Sequence, residues 1–176
     1  MKFLNWIMKA LGCPFFSGLF IFLISVTALA AAYTAEYGFG LLPCILCLYQ
    51  RIPFALGIVL GLLVIASAKA KKAGLTIGLL ILSGFNFLIN SALAFYHSGV
   101  ERLWWKGFEG CSAPDLEGLS PAEMIEALQN TPAVRCDEIP WEMFGLSMAN
   151  YNVAFCFGIA LVCFMAAFRY AKSAKH

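Results

Sequence analysis

The sequence predicts an all-α membrane protein: a bundle of four transmembrane helices with a long extracytoplasmic loop that carries one short amphipathic helix. Three observations support this. First, of 176 residues 61% are hydrophobic and 12% charged, about half the charged fraction of a soluble domain. Second, the charges leave four uncharged stretches, 10–35, 52–68, 73–100 and 143–168. Each supplies the roughly 17–25 apolar residues that a membrane helix needs, the second by including the segment around Arg51. Third, the basic residues are asymmetric. Lys2 and Lys9 precede the first stretch, Lys69, Lys71 and Lys72 fill the link between the second and third, and Arg169, Lys172 and Lys175 follow the fourth, with no acid among them.

The expected spans are about 15–33, 43–67, 75–96 and 148–168, with an outer loop over about 97–147, all within a single membrane domain of residues 1–176. That loop sets Arg102, Lys106 and Arg135 against nine acids, counted from Glu101 to Glu142. The positive-inside rule therefore puts both termini and the lysine link in the cytoplasm and the loop outside. A net charge of +2 suggests no nucleic-acid role. No internal repeat, low-complexity tract or nucleotide fingerprint interrupts the pattern. Ala28-Leu29-Ala30 resembles a signal-cleavage site, but the apolar run before it exceeds a signal h-region of about 7–15 residues, so a retained span is expected.

Helix one carries only Ser17, Ser25 and Thr27 as polar groups and is read as packing. The connection 34–42 contains Glu36, the only acid outside the long loop. It is expected to be an interfacial, solvated carboxylate. Helix two opens on Leu42-Pro43-Cys44-Ile45-Leu46-Cys47-Leu48-Tyr49-Gln50-Arg51. Pro43 suits a first helical position and would put Cys44 and Cys47 in the first turns, where the helix dipole favours anions. Arg51 follows Cys47 by four residues and Cys44 by seven, and so shares a helical face with both. A cation about 6 Å from a thiolate, at an effective dielectric of about 20, is worth roughly 2–3 kcal/mol, or about two pH units. One of the two cysteines is therefore expected to be a thiolate near neutral pH. An arginine inside an apolar segment is itself a functional-site hypothesis. Pro53 should kink the helix, and Gly57 and Gly61 should let a neighbour approach closely. Tyr49 and Gln50 are read as interface and packing residues.

Helix three places Ser83, Asn86, Asn90 and His97 on one face. A polar stripe in a membrane must face protein, a cavity or a ligand. Its outer end, His97, is a candidate hydrogen-bond donor to a carbonyl ligand. In the loop, Trp104, Trp105 and Phe108 suit the headgroup layer. Ser120-Pro121-Ala122-Glu123 has a capping box and a first-turn proline, which predicts a helix from about Pro121 to Gln129. Pro140 to Phe144 reads as a second interfacial segment before helix four.

Seven cysteines divide by side. Cys44, Cys47, Cys111 and Cys136 lie outside, where an oxidising compartment allows three pairings of the four. Cys13, Cys156 and Cys163 are read as small buried hydrophobes. A zinc site built on Cys111 and Cys136 lacks the second close pair that a ribbon needs, and no metal is expected.

Together these residues resemble the bacterial disulfide bond formation protein B (DsbB) family. The likeness covers four spans, Pro43-Cys44-Ile45-Leu46-Cys47 with Arg51, His97 ending helix three, and a long loop with Cys111 and Cys136. It implies a quinone-reducing thiol oxidase of the bacterial inner membrane, with Cys44, Cys47, Cys111 and Cys136 catalytic. A periplasmic thioredoxin-like dithiol of the DsbA type would attack Cys111 of a Cys111–Cys136 disulfide. Cys136 would then attack Cys44 of a Cys44–Cys47 disulfide, and Cys47 would leave as a thiolate beside Arg51. Electrons would pass to ubiquinone or menaquinone, with Arg51 and His97 as hydrogen-bonding candidates for its oxygens. Glu36 takes no role from the resemblance. Two alternatives remain: a thiol enzyme resembling vitamin K epoxide reductase, and a non-enzymatic four-span scaffold of the tetraspanin kind.

Overall fold

The computed structural model of the chain describes residues 12–108, 111, 120–122, 124–125 and 134–174. Four helices among them are long and apolar enough to cross a membrane. These are α1 (Pro14–Tyr33), α2 (Ile45–Lys69), α3 (Ala73–Glu101) and α4 (Met148–Ser173). Pro14 opens α1 at a position where its missing N–H costs nothing. α1 passes directly into a π-helical turn, Thr34–Gly38. The three-residue link after α2 turns tightly because Lys71 adopts a left-handed φ of 54°, so α2 and α3 run antiparallel.

Packing joins the helices in chain order, α1 on α2, α2 on α3 and α3 on α4, whereas α1 and α4 touch only sparsely. Gly61 and Gly18 bring α2 and α1 together backbone to backbone: a methyl added at Gly61 would lie 2.7 Å from the Phe22 nitrogen. At Gly57 a methyl would strike Ser25 Oγ. Small residues are what allow membrane helices this approach. Ile21, Phe54, Val64, Leu80, Phe87, Ile159 and Cys163 fill the centre, with the Phe54 and Phe87 rings 5.9 Å apart. Large apolar side chains such as Leu56, Val59, Leu82, Ile89 and Phe157 point outward, as lipid-facing residues must.

The polar stripe of α3 faces protein. Around Pro53, whose ring leaves a carbonyl of the preceding turn without its donor, Asn86 donates to the Pro53 carbonyl at 2.8 Å and Asn90 to the Gln50 carbonyl at 3.2 Å. α3 also runs a turn beyond the expected boundary, to Glu101. The loop folds back there: Trp105 stacks on Tyr96 and donates to the Tyr96 carbonyl. Its indole lies against Gly99, where any Cβ would collide with it.

The segment expected to be interfacial before α4 carries a hairpin. β1 (Glu142–Met143) pairs antiparallel with β2 (Leu146–Ser147). Phe144 and Gly145 form the turn with φ of 54° and 73°, the two positive values of a type I′ hairpin. Ser147 then caps α4 in a reciprocal box with Asn150. Of the expected loop helix, residues 121–122 and 124–125 are helical, and the remainder lies outside the described residues. So do Lys2, Lys9 and Lys175.

Candidate functional site

α2 starts two residues later than the proline rule suggests. Cys44 is extended, with ψ of 171°, and acts as the N-cap, its sulfur accepting the Cys47 N–H at 3.4 Å. The two sulfurs are 3.2 Å apart, close enough to join in a disulfide after a small rotation. His97 Nε2 lies 3.5 Å from Cys44 Sγ. The geometry is that of a dithiol.

The imidazole is held from behind by a hydrogen-bond chain. Cys156 Sγ donates to Asn152 Oδ1 at 3.1 Å, Asn152 Nδ2 to Gln50 Oε1 at 2.6 Å, and Gln50 Nε2 reaches His97 Nδ1 at 2.9 Å. Gln50 Nε2 also donates to the Leu46 carbonyl. With the amide oriented this way, Nδ1 is the acceptor and the ring proton sits on Nε2, aimed at Cys44. Gln50, read from sequence as packing, is therefore the support of the site, and Asn152 and Cys156 belong with it. Beyond His97, Glu101 Oε1 lies 3.7 Å from Nε2, and Glu101 Oε2 accepts from Ser147 Oγ.

Groups that stabilise an anion converge on Cys44, which precedes the spanning helix. The hydrogen bond from Cys47 Sγ is the largest influence; burial opposes it, and His97 and the Cys47 N–H add to it. The balance holds the Cys44 thiol well below its usual range. Arg51, expected beside Cys47, lines the same cavity as both cysteines but is not among the groups that hold the Cys44 thiol down. Its Nη1 pairs with Glu36 Oε2 at 2.5 Å, and its guanidinium lies 4.9 Å over the Tyr33 ring. Nor is Glu36 a solvated carboxylate, since its side chain is only 16% exposed.

In the loop, Cys111 and Cys136 are joined in a disulfide, both fully buried. They pack in one cluster with Cys44, Leu46 and Val100, and with Cys47 at its edge. All four outer cysteines thus come together. Of the remaining three, Cys156 and Cys163 are buried, whereas Cys13 is half-buried. A cavity of about 560 Å³ lies beside the sulfurs, between α1, α2, the 134–141 segment and α4. Ala28, Leu29, Phe54 and Phe155 contribute apolar wall; Gln50, Arg51, His97 and Asn152 supply polar groups near the cysteines.

A four-helix membrane bundle with a dithiol at its mouth and a second cysteine pair packed against it defines a membrane thiol–disulfide oxidoreductase. Residues 16–166 match the family described as Disulfide bond formation protein DsbB. The chain is 33% identical over 132 residues to an uncharacterised protein of Rickettsia prowazekii, covering 74% of each. It is 31% identical over 130 residues to the disulfide bond formation protein B of Actinobacillus pleuropneumoniae, covering 70% of this chain and 69% of that one. With the Xanthomonas axonopodis pv. citri protein of the same name the figures are 30% over 159 residues, 88% and 91%. No solved structure matches. The chain belongs to the DsbB family of membrane disulfide bond formation proteins, an oxidoreductase that generates disulfide bonds. That membership sets aside both the non-enzymatic scaffold and the epoxide-reductase alternatives.

Proposed function

We propose that the chain reoxidises a periplasmic thioredoxin-fold dithiol oxidase of the DsbA type and passes the electrons to a membrane quinone, ubiquinone or menaquinone. The observation that carries this reading is the packing of the Cys111–Cys136 disulfide against Cys44 in one buried cluster, with Cys44 and Cys47 also lining the cavity. Basic residues at the link 69–72 and after α4 favour an orientation with both termini cytoplasmic and the cysteines on the periplasmic side of the inner membrane.

The cavity suits a quinone. Its apolar walls fit an isoprenoid-bearing ring, its volume is that of a cofactor pocket, and α1 and α4, which barely touch, leave a lateral approach from lipid. Arg51, whose guanidinium has donors beyond the one given to Glu36, is the candidate for a quinone oxygen. His97 is less free than the sequence suggests, because both ring nitrogens already face partners. When bound, the quinone supplies an acceptor for two electrons and two protons.

The cysteines carry the exchange. A partner thiolate attacks Cys111 Sγ, and the Cys111–Cys136 bond breaks with Cys136 released as a thiolate. The partner's second thiol displaces Cys111, leaving the partner oxidised and the loop pair reduced. Cys136 then attacks Cys44 of an oxidised Cys44–Cys47 pair and expels Cys47. Cys111 displaces Cys44 from Cys136, so the loop disulfide re-forms and two electrons and two protons rest on Cys44 and Cys47. Oxidation of that pair restores the starting state.

The test is an anaerobic assay of the purified protein with a reduced thioredoxin-fold partner and short-chain ubiquinone or menaquinone analogues. Partner oxidation and quinone reduction in equal amounts are expected. Oxidation of the partner without quinone reduction would overturn the reading.

A further inference from the structure

Glu36 is a charged group for which neither the resemblance nor the cysteine chemistry has a use. Three observations give it one. The π turn Thr34–Gly38 carries it at the end of α1, a backbone form that is frequent at functional sites. Its carboxylate pairs with Arg51, and both side chains are at most 16% exposed. Tyr33, three residues earlier, holds the same guanidinium from its ring face. Tyr33 of α1 and Glu36 of the π turn thus capture the one cation of α2 that lies on the cysteine face, Arg51, which lines the same cavity as Cys44 and Cys47.

We propose that Glu36 is a positioning residue that, by pairing with Arg51, sets how much positive charge reaches the Cys44–Cys47 pair. While the two are paired, their charges largely cancel at the sulfurs. Removing the carboxylate's charge while leaving its shape exposes the cysteines to an uncompensated arginine. This rests on the same site as the oxidase reading but needs neither quinone nor partner for its test.

Among the described residues, the other charged or titratable groups around the sulfurs are His97 and Glu101 on α3, Arg135 and Glu138 from the loop, and Tyr151 on α4, together with the Cys111 and Cys136 thiols once the loop disulfide is reduced. None of them changes in the variants used. The experiment is the pH dependence of alkylation in the reduced full-length protein in detergent, read at Cys44 by mass spectrometry. In Glu36→Gln, which retains hydrogen bonding, the profile is expected to move toward acid by about one pH unit, the order of one unit charge at roughly 8–10 Å in a medium of dielectric about 20. Glu36→Asp should leave it in place. Arg51→Gln should move it toward alkali, and adding Glu36→Gln to Arg51→Gln should take that movement back only as far as the profile of a site with neither charge. A merely structural contact would leave the Glu36→Gln profile on that of the wild type. That result overturns the proposal, as does an alkaline movement in Glu36→Gln. Should Glu36→Gln not fold, an unmoved Arg51→Gln profile overturns it alone.

Discussion

Gln50 Nε2 lies 2.9 Å from His97 Nδ1, joining the second turn of the cysteine helix to the imidazole that faces Cys44. The contact decides which nitrogen carries the proton. It leaves His97 a donor toward sulfur and removes it as a free base at Nδ1.

Replacing Gln50 by Leu removes that constraint and leaves Asn152 Nδ2 without its acceptor. His97 is then free to turn its unprotonated nitrogen to Cys44, and a hydrogen bond to a charged group is lost, worth about 1.5 kcal/mol or more. The pH at which Cys44 alkylation falls away should rise by about one unit, with the rate at pH 7 hardly changed. An unmoved pH profile in stopped-flow labelling would show that the orientation of His97 does not matter to the sulfur.

The two cysteines should differ in order of reaction. Cys44 receives donors from Cys47 Sγ, His97 and the Cys47 amide, and its thiol is held below the ordinary range. A lowered value means that the thiolate persists as pH falls and is lost only when pH passes through that lowered value. Limited alkylation of the reduced protein at pH 6 should therefore mark Cys44 before Cys47 in peptide mass spectra. Equal marking, or Cys47 first, would contradict the assignment of the anion to Cys44.

Gly61→Val tests the frame rather than the chemistry. The first added carbon would sit 2.7 Å from the Phe22 nitrogen and 2.9 Å from the Gly18 carbonyl oxygen, both backbone atoms that cannot turn aside. Overpacking of this kind costs about 1–3 kcal/mol. Thermal unfolding in detergent should fall by several degrees, whereas Gly78→Ala, which meets nothing within 4 Å, should leave it unchanged.

The bundle was legible in composition because a bilayer tolerates so few charges: four uncharged runs and three basic clusters leave one arrangement. The close approach at Gly57 and Gly61 was legible too, as a spacing of small residues. The support of the site was not. Gln50 and Asn152 are 102 residues apart, and a polar side chain on a membrane helix says only that it faces protein, never which protein group it meets. The Arg51–Glu36 pair was hidden for another reason. Helical spacing puts Arg51 on the cysteine face, but the π turn at Thr34–Gly38 alters the phase of α1 and brings a competing carboxylate to it. The hairpin at Phe144-Gly145 carried a readable signal, a glycine between two extended pairs, beside the interfacial reading of the segment.

The central claim is that electrons reach the acceptor through Cys44 and Cys47. The most direct test uses fully reduced Cys111→Ser/Cys136→Ser protein, given one equivalent of a ubiquinone analogue without oxygen and quenched in acid. The account predicts one Cys44–Cys47 disulfide formed for each quinone reduced. Cys44 and Cys47 remaining free thiols, with the quinone unreduced, would contradict it.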